Sequence, residues 1–148
     1  MDIPEVTTTE LAELIMRVGR QVRRANADEL AGTPLNPHQA RALRLVARLE
    51  PVRMADLAER LHVAPRSATD VVEVLDAGGW VERSPDPTDG RSRVVRLTET
   101  GRGLVAEVDA ARARAADRVL GPLAPADRAA VASGLRVVAD AAAPGGAT

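Results

Sequence analysis

The apolar positions of the chain fall at two spacings. From Thr7 onward, Leu11, Leu14, Ile15, Val18, Val22 and Ala25 recur at steps of three and four, which lines one face of a helix with 3.6 residues per turn. The other side carries Arg17, Arg20, Arg23 and Arg24. This predicts a long first helix, capped by Thr8 or Thr9, that ends before Gly32-Thr33-Pro34. A second helix starts at Asn36-Pro37-His38-Gln39, with Asn36 at the N-cap, Pro37 at the first helical position and Gln39 completing a capping box. Ala42, Leu45, Val46 and Leu49 form its apolar stripe, and Glu50-Pro51 stops it.

Val52 makes a very short extended piece. Residues 54–61 read as a two-turn helix with Leu57, Ala58 and Leu61 facing inward, and His62-Val63-Ala64 as a tight turn. Pro65 opens another helix over 66–77, with Ala68, Val71, Val72 and Leu75 apolar and Gly78-Gly79 at its end. Two short strands are expected over 80–84 and 93–97. The loop between them contains Asp89-Gly90, a dipeptide typical of a hairpin tip. Thr98 then caps a long helix bearing Leu104, Val105, Val108, Ala111, Ala115 and Val119, which Gly121-Pro122 breaks. A last helix over 124–142 has Val131, Leu135 and Val138 as its seam. Residues 1–6 are expected to fray and 144–148 to be disordered.

Composition narrows the class. A length of 148 residues suits one domain. Trp80 is the only aromatic residue, so the core must be built from Leu, Val, Ile and Ala. All 20 basic residues are arginine and they are spread along the chain, which reads as compositional bias more than as selection for contacts. The formal net charge is −1, so any nucleic-acid reading must rest on a local cluster. The absence of cysteine excludes disulfides, thiol redox sensing and thiolate metal sites. No nucleophile set, glycine-rich phosphate loop or metal-spaced cluster is present, so the chain is read as no enzyme and is expected to need no cofactor and no metal. It has no secretory pattern and no apolar run of roughly 18 residues. A soluble, cytoplasmic protein with no membrane partner is expected.

The order helix, turn, helix, strand, arginine-bearing loop, strand is the distinctive feature. Two short helices joined by a tight turn place the second in the DNA major groove, and a following hairpin makes the winged version of that motif. The fold class is therefore mainly α with a small β-hairpin wing. Arg66, Ser67, Thr69 and Asp70 occupy the first turns of the second helix, the part that reaches base edges. Arg66 can donate twice to guanine, and Ser67 and Thr69 can bond to bases or phosphates. Asp70 can accept from cytosine N4 or orient Arg66 across one turn. The wing offers Arg91 and Arg93, with Arg83 and Arg96 on the strands. These four arginines stand against Asp86 and Asp89, a local balance of +2. An arginine at a hairpin tip can enter a narrow minor groove. Asp89 is expected to hold the tip by bonding Arg91 or a nearby backbone N–H. His38 and His62 are read mainly as partly exposed residues, with a ligand-pocket role for His38 and a phosphate contact for His62 as weaker readings.

Met54-Ala-Asp-Leu-Ala-Glu-Arg-Leu61, Ala64-Pro-Arg-Ser-Ala-Thr69, Leu75-Asp-Ala-Gly-Gly-Trp-Val-Glu-Arg83 and Asp86-Pro-Thr-Asp-Gly-Arg-Ser-Arg93, followed by Val94-Val-Arg-Leu-Thr-Glu-Thr-Gly101, closely resemble the MarR family of bacterial winged-helix regulators. The resemblance implies a single domain over 1–148. Within it, 36–98 would be the winged helix-turn-helix DNA-binding region, and 7–30 and 99–143 the helices of a homodimer. It also implies a pseudo-palindromic operator in double-stranded DNA, repression, and release by a small-molecule effector held between head and dimer region. With Trp80 as the sole aromatic residue, such a pocket would be aliphatic and arginine-lined. The family's pattern equates Arg66, Ser67 and Thr69 with recognition-helix contacts and Asp89 and Arg91 with the wing pair. Ala64 stands where serine is frequent, which removes a side-chain cap. Leu11, Leu14, Ile15, Val18, Leu104, Val108, Val131, Leu135 and Val138 would expose a large patch in a monomer, which a two-fold partner would cover. The rival reading is a winged-helix protein-interaction module that has lost DNA binding, supported by the near-neutral charge and by Asp70.

Overall fold

The computed structural model describes residues 5–143; the tail expected over 144–148, and residues 1–4 of the frayed start, lie outside the described residues. Among the described residues, six helices and three strands follow in the order α1 (Thr8–Leu30), α2 (Pro37–Leu49), β1 (Val52–Arg53), α3 (Met54–Leu61), α4 (Pro65–Ala77), β2 (Val81–Asp86), β3 (Asp89–Leu97), α5 (Glu99–Leu120) and α6 (Pro125–Ala141). The cap of α1 is Thr7, not Thr8 or Thr9: its backbone is extended and its hydroxyl accepts the Glu10 N–H at 3.2 Å. The α2 capping box forms in both directions, Gln39 N–H to Asn36 Oδ1 at 2.8 Å and Asn36 N–H to Gln39 Oε1 at 3.0 Å. Ala64 provides no side-chain cap for α4. Gly79 takes a left-handed φ of 76°, which costs glycine little because it lacks a Cβ.

The sheet order is β1-β3-β2, antiparallel throughout, with Val52 opposite Val95 and Val81 opposite Leu97. The hairpin is longer than the two short strands expected. Pairing continues from Pro85 and Arg93 to Asp86 and Asp89, so Gly90, Arg91 and Ser92 are left as a bulge in β3 and the two-residue tip is Pro87-Thr88. Asp89-Gly90 thus lies within β3. The tip is set by the Asp86 carboxylate, whose Oδ1 accepts both the Thr88 N–H at 2.9 Å and the Thr88 hydroxyl at 2.8 Å, a side-chain mimic of a backbone turn.

The core gathers Leu43, Val46, Leu57, Leu61, Val72, Leu75, Val81 and Val95 between α2, α3, α4 and the sheet. Leu104, Val108 and Ala111 carry the same core along α5. Leu104 and Val108 are therefore buried within the chain and do not join the exposed patch expected of them, because α5 packs on α1 and α2. Ion pairs outline that packing: Arg44 Nε to Asp109 at 2.6 Å joins α2 to α5, and Arg114 Nε to Glu29 at 2.8 Å joins α1 to α5. Among the described residues, no side chain of α6 is buried. No helix of the described residues is long and apolar enough to cross a membrane.

Candidate nucleic-acid interface

The turn between α3 and α4 is closed by His62, which adopts a left-handed backbone at φ 55° and donates its N–H to Glu59 O at 3.1 Å. Val63 N–H reaches Ala58 O at 3.1 Å, and Arg41 of α2 donates to Leu61 O at 3.2 Å. The end carbonyls of α3 are thereby satisfied. Ala68, Val72 and Leu75 pin α4 to the core by its inner face. Its first turn, with Arg66 and Ser67, stays exposed, as does Asp70.

Arg66, Asp70, Arg91 and Arg93 have no side-chain partner among the described residues. The Arg66–Asp70 pair considered above is therefore not formed. Thr69 is half-buried and its hydroxyl donates to Pro65 O at 3.1 Å, one turn back in its own helix, so its donor is already engaged. Arg83 is also engaged: its Nε and its terminal nitrogen both lie 3.1 Å from Asp76 Oδ2 on α4. Asp89 behaves as expected of a tip-holding residue. It accepts the Arg91 N–H at 3.1 Å and the Ser92 hydroxyl at 3.0 Å, bracing the bulge on which Arg91 is exposed. Bulges re-aim side chains in this way. His38 and His62 are both exposed, and among the described residues neither belongs to a group of three His, Asp or Glu side chains placed to hold a metal ion.

Three side-chain ties hold the hairpin to the helices. Arg83 joins β2 to α4. Glu50, at the C-cap of α2, accepts the Leu97 N–H at 2.7 Å and pairs with Arg102 of α5 at 2.7 Å. Burial opposes ionisation of Glu50, but the Leu97 N–H and Arg102 outweigh it and hold the carboxyl below its ordinary range. The third tie is Arg53, whose Nε donates to Asp86 Oδ2 at 2.5 Å and whose Nη2 donates to Thr88 Oγ1 at 3.1 Å. The Thr88 backbone and hydroxyl bonds, with Arg53 beside them, keep the Asp86 carboxyl below its ordinary range despite desolvation. Arg53, Thr88 and Glu50 carry no motif that singles them out. The Asp86-Pro87-Thr88 spacing is the one local signal that could have placed the tip.

A second unexplained surface lies on the terminal helices. Leu11, Leu14, Ile15 and Val18 of α1 and Val131, Leu135 and Val138 of α6 line an apolar groove of about 560 Å³. Their exposures run from 38% for Ile15 to 49% for Leu135, high for side chains of this size.

The comparisons agree with this geometry. Residues 33–92, from the α1–α2 connection through the bulge, match the model of the MarR family. The HTH-type transcriptional regulator Mb0904 of Mycobacterium bovis (strain ATCC BAA-935 / AF2122/97) is 35% identical over 104 residues, 70% of each chain. Among solved structures, CouR from Rhodococcus jostii RHA1 bound to p-coumaroyl-CoA superposes with a TM-score of 0.75 at 26% identity, covering 89% of this chain and 90% of that one. The Mycobacterium tuberculosis MarR family protein Rv2887, in complex with DNA, gives 0.75 at 25% identity over 93% and 98%. With the helix-turn-helix, the tethered hairpin and the flanking helices all in place, the chain belongs to the MarR family of transcriptional regulators.

Proposed function

We propose that the chain is a cytoplasmic, homodimeric repressor that reads a pseudo-palindromic operator in double-stranded DNA. In this reading α4 lies in the major groove and the β2–β3 wing in the minor groove. The observation that carries it is the exposure of the unpartnered Arg66 at the start of α4, a helix that Arg83 ties to the hairpin, with Arg91 and Arg93 exposed on the wing. Arg66 supplies base readout, and Ser67 contributes a bond to base or phosphate. Asp70 accepts from a cytosine amino group or restrains the bases accepted there. Thr69 contributes through its methyl group and oxygen lone pairs, since its hydrogen is engaged with Pro65. Arg91 and Arg93 supply minor-groove and phosphate contacts, Asp89 holds the bulge, and Arg83 fixes the wing to α4.

One such head covers too little DNA to choose an operator, and the α1–α6 groove supplies the means of pairing two. Seven large apolar side chains left half-exposed on helices at both ends of the chain support a two-fold interface built from 7–30 and 99–143. The 36–98 region then serves as the reading head. Two recognition helices related by that axis sit about 34–36 Å apart, one turn of DNA. Release by a small-molecule effector is the corresponding mode of control. The p-coumaroyl-CoA held by CouR supports it. Selection of bound duplexes from random DNA tests the reading. Enrichment of an inverted repeat with half-sites about 10 base pairs apart is expected, and recovery of no common sequence would refute it.

A further inference from the structure

Asp86 is the only buried charged side chain among the described residues, 6% exposed, yet it lies next to the tip of a surface hairpin. It is buried because its partners surround it. Oδ2 takes the Arg53 Nε–H, Oδ1 takes the Thr88 N–H and hydroxyl, and the Thr88 oxygen accepts in turn from Arg53 Nη2. The three side chains close a ring. The fixed, planar fork of a guanidinium spans the two acceptors with separate nitrogens, whereas the ammonium of a lysine would have to reach both from one point at the end of a flexible stem.

The ring sits where the sheet runs out of support. β1 has two residues and meets β3 only at Val94 and Val95. Beyond Ser84 and Val94 the wing is a two-stranded ribbon, a structure marginal on its own in water. Arg53 is the last residue of β1 and the N-cap of α3, so its backbone is fixed by both. It reaches 33 residues along the chain to hold Asp86, just ahead of the bulge that carries Arg91.

We propose that Arg53 is a positioning residue for the wing. It anchors the tip to the start of the helix-turn-helix, so that Arg91 is presented in a fixed place relative to α4. The ring does for the far end of the hairpin what β1 does for its base. The proposal rests on the DNA-binding reading above.

The test compares Arg53→Lys with wild type. Lysine keeps the charge that a phosphate contact would need but lacks the rigid two-nitrogen fork that holds Asp86 and Thr88 together. Two readouts are taken: hydrogen exchange of the 88–92 amides in the free dimer, and affinity for the selected operator. The ring predicts faster exchange confined to the tip and a roughly tenfold weaker operator affinity, the scale of one lost charged contact. It also predicts that adding Arg53→Lys to Arg91→Ala weakens binding no further, because both act through one contact. Thr88→Val, an exposed and nearly isosteric change, should loosen the tip in the same direction. Unchanged tip exchange, or operator affinity equal to wild type in Arg53→Lys, would overturn the positioning role alone. A wild-type chain that binds no duplex would overturn the DNA reading and the positioning role together.

Discussion

Gly101 stands where α5 leaves the base of the wing, and replacing it by alanine sets two effects against each other. Alanine in a helix is favoured over glycine by up to about 1 kcal/mol. A Cβ at this position, however, would sit 1.9 Å from the Trp80 carbonyl oxygen and 2.9 Å from its carbon. That carbonyl has little room to move. It accepts the Thr98 N–H at 3.1 Å, the Trp80 N–H is bonded to Leu75 O at 3.0 Å, and the Thr98 hydroxyl holds Gly79 O at 2.6 Å. Reaching ordinary contact needs a shift of more than roughly 1 Å, enough to break two such bonds at about 1 kcal/mol each and to add overpacking strain of about 1–3 kcal/mol. Net destabilisation of about 2–4 kcal/mol follows, or roughly 5–12 °C in Tm for a chain of this size. Gly103, two residues on, has nothing within 4 Å of the place a Cβ would take, so Gly103→Ala should be neutral or slightly stabilising. Thermal melts by far-UV circular dichroism, at one fixed protein concentration, read both. A Gly101→Ala protein melting at or above wild type would refute the close approach of α5 to Trp80.

The other predictions concern pairing, the joint at Glu50, and base readout. Leu135→Arg puts a charge into the α1–α6 groove and should shift the chain from dimer to monomer in light scattering; an unchanged mass would contradict the proposed interface. Glu50→Ala leaves the buried Leu97 N–H without its acceptor and should cost about 1–3 kcal/mol in urea denaturation. Glu29, Glu50 and Asp86 are all held below their ordinary values of 4.5, 4.5 and 3.8. Their contribution is therefore complete above those values and is lost as pH falls through the lower folded ones. The urea midpoint should hold steady down to about pH 5 and drop below it, and a midpoint that rises on acidification would contradict these assignments. Arg66→Ala should relax base preference at one position of each half-site by about 1–3 kcal/mol; an equal loss on every sequence would mark a phosphate contact instead.

Features that close within one helical turn were legible in the sequence. The Asn36–Gln39 box and the Thr98 cap of α5, which takes the Gly101 N–H at 3.0 Å, depend on residues three apart. The order of helices followed from apolar spacing in the same way. The hairpin tip was misplaced because two local turn signals compete there, Asp89-Gly90 and Asp86-Pro87-Thr88, and the Arg53 contact that favours the second comes from 33 residues away. Spacing also shows which face of a helix is apolar without showing what covers it. Leu104 and Val108 belong to the chain's own core, whereas Leu135 and Val138, with similar periodicity, stay exposed. At the reading face, residue type named the right elements but not the partners that occupy Thr69 and Arg83.

A chain of net charge −1 is proposed to carry a local DNA-reading surface. Fluorescence anisotropy with a duplex from the promoter of its own coding sequence, repeated across a salt series, tests it most directly. Binding should be tight at low salt, with the logarithm of the association constant falling linearly against the logarithm of salt concentration. The slope should be about −0.9 for each phosphate neutralised. Weak binding that does not change with salt would contradict it.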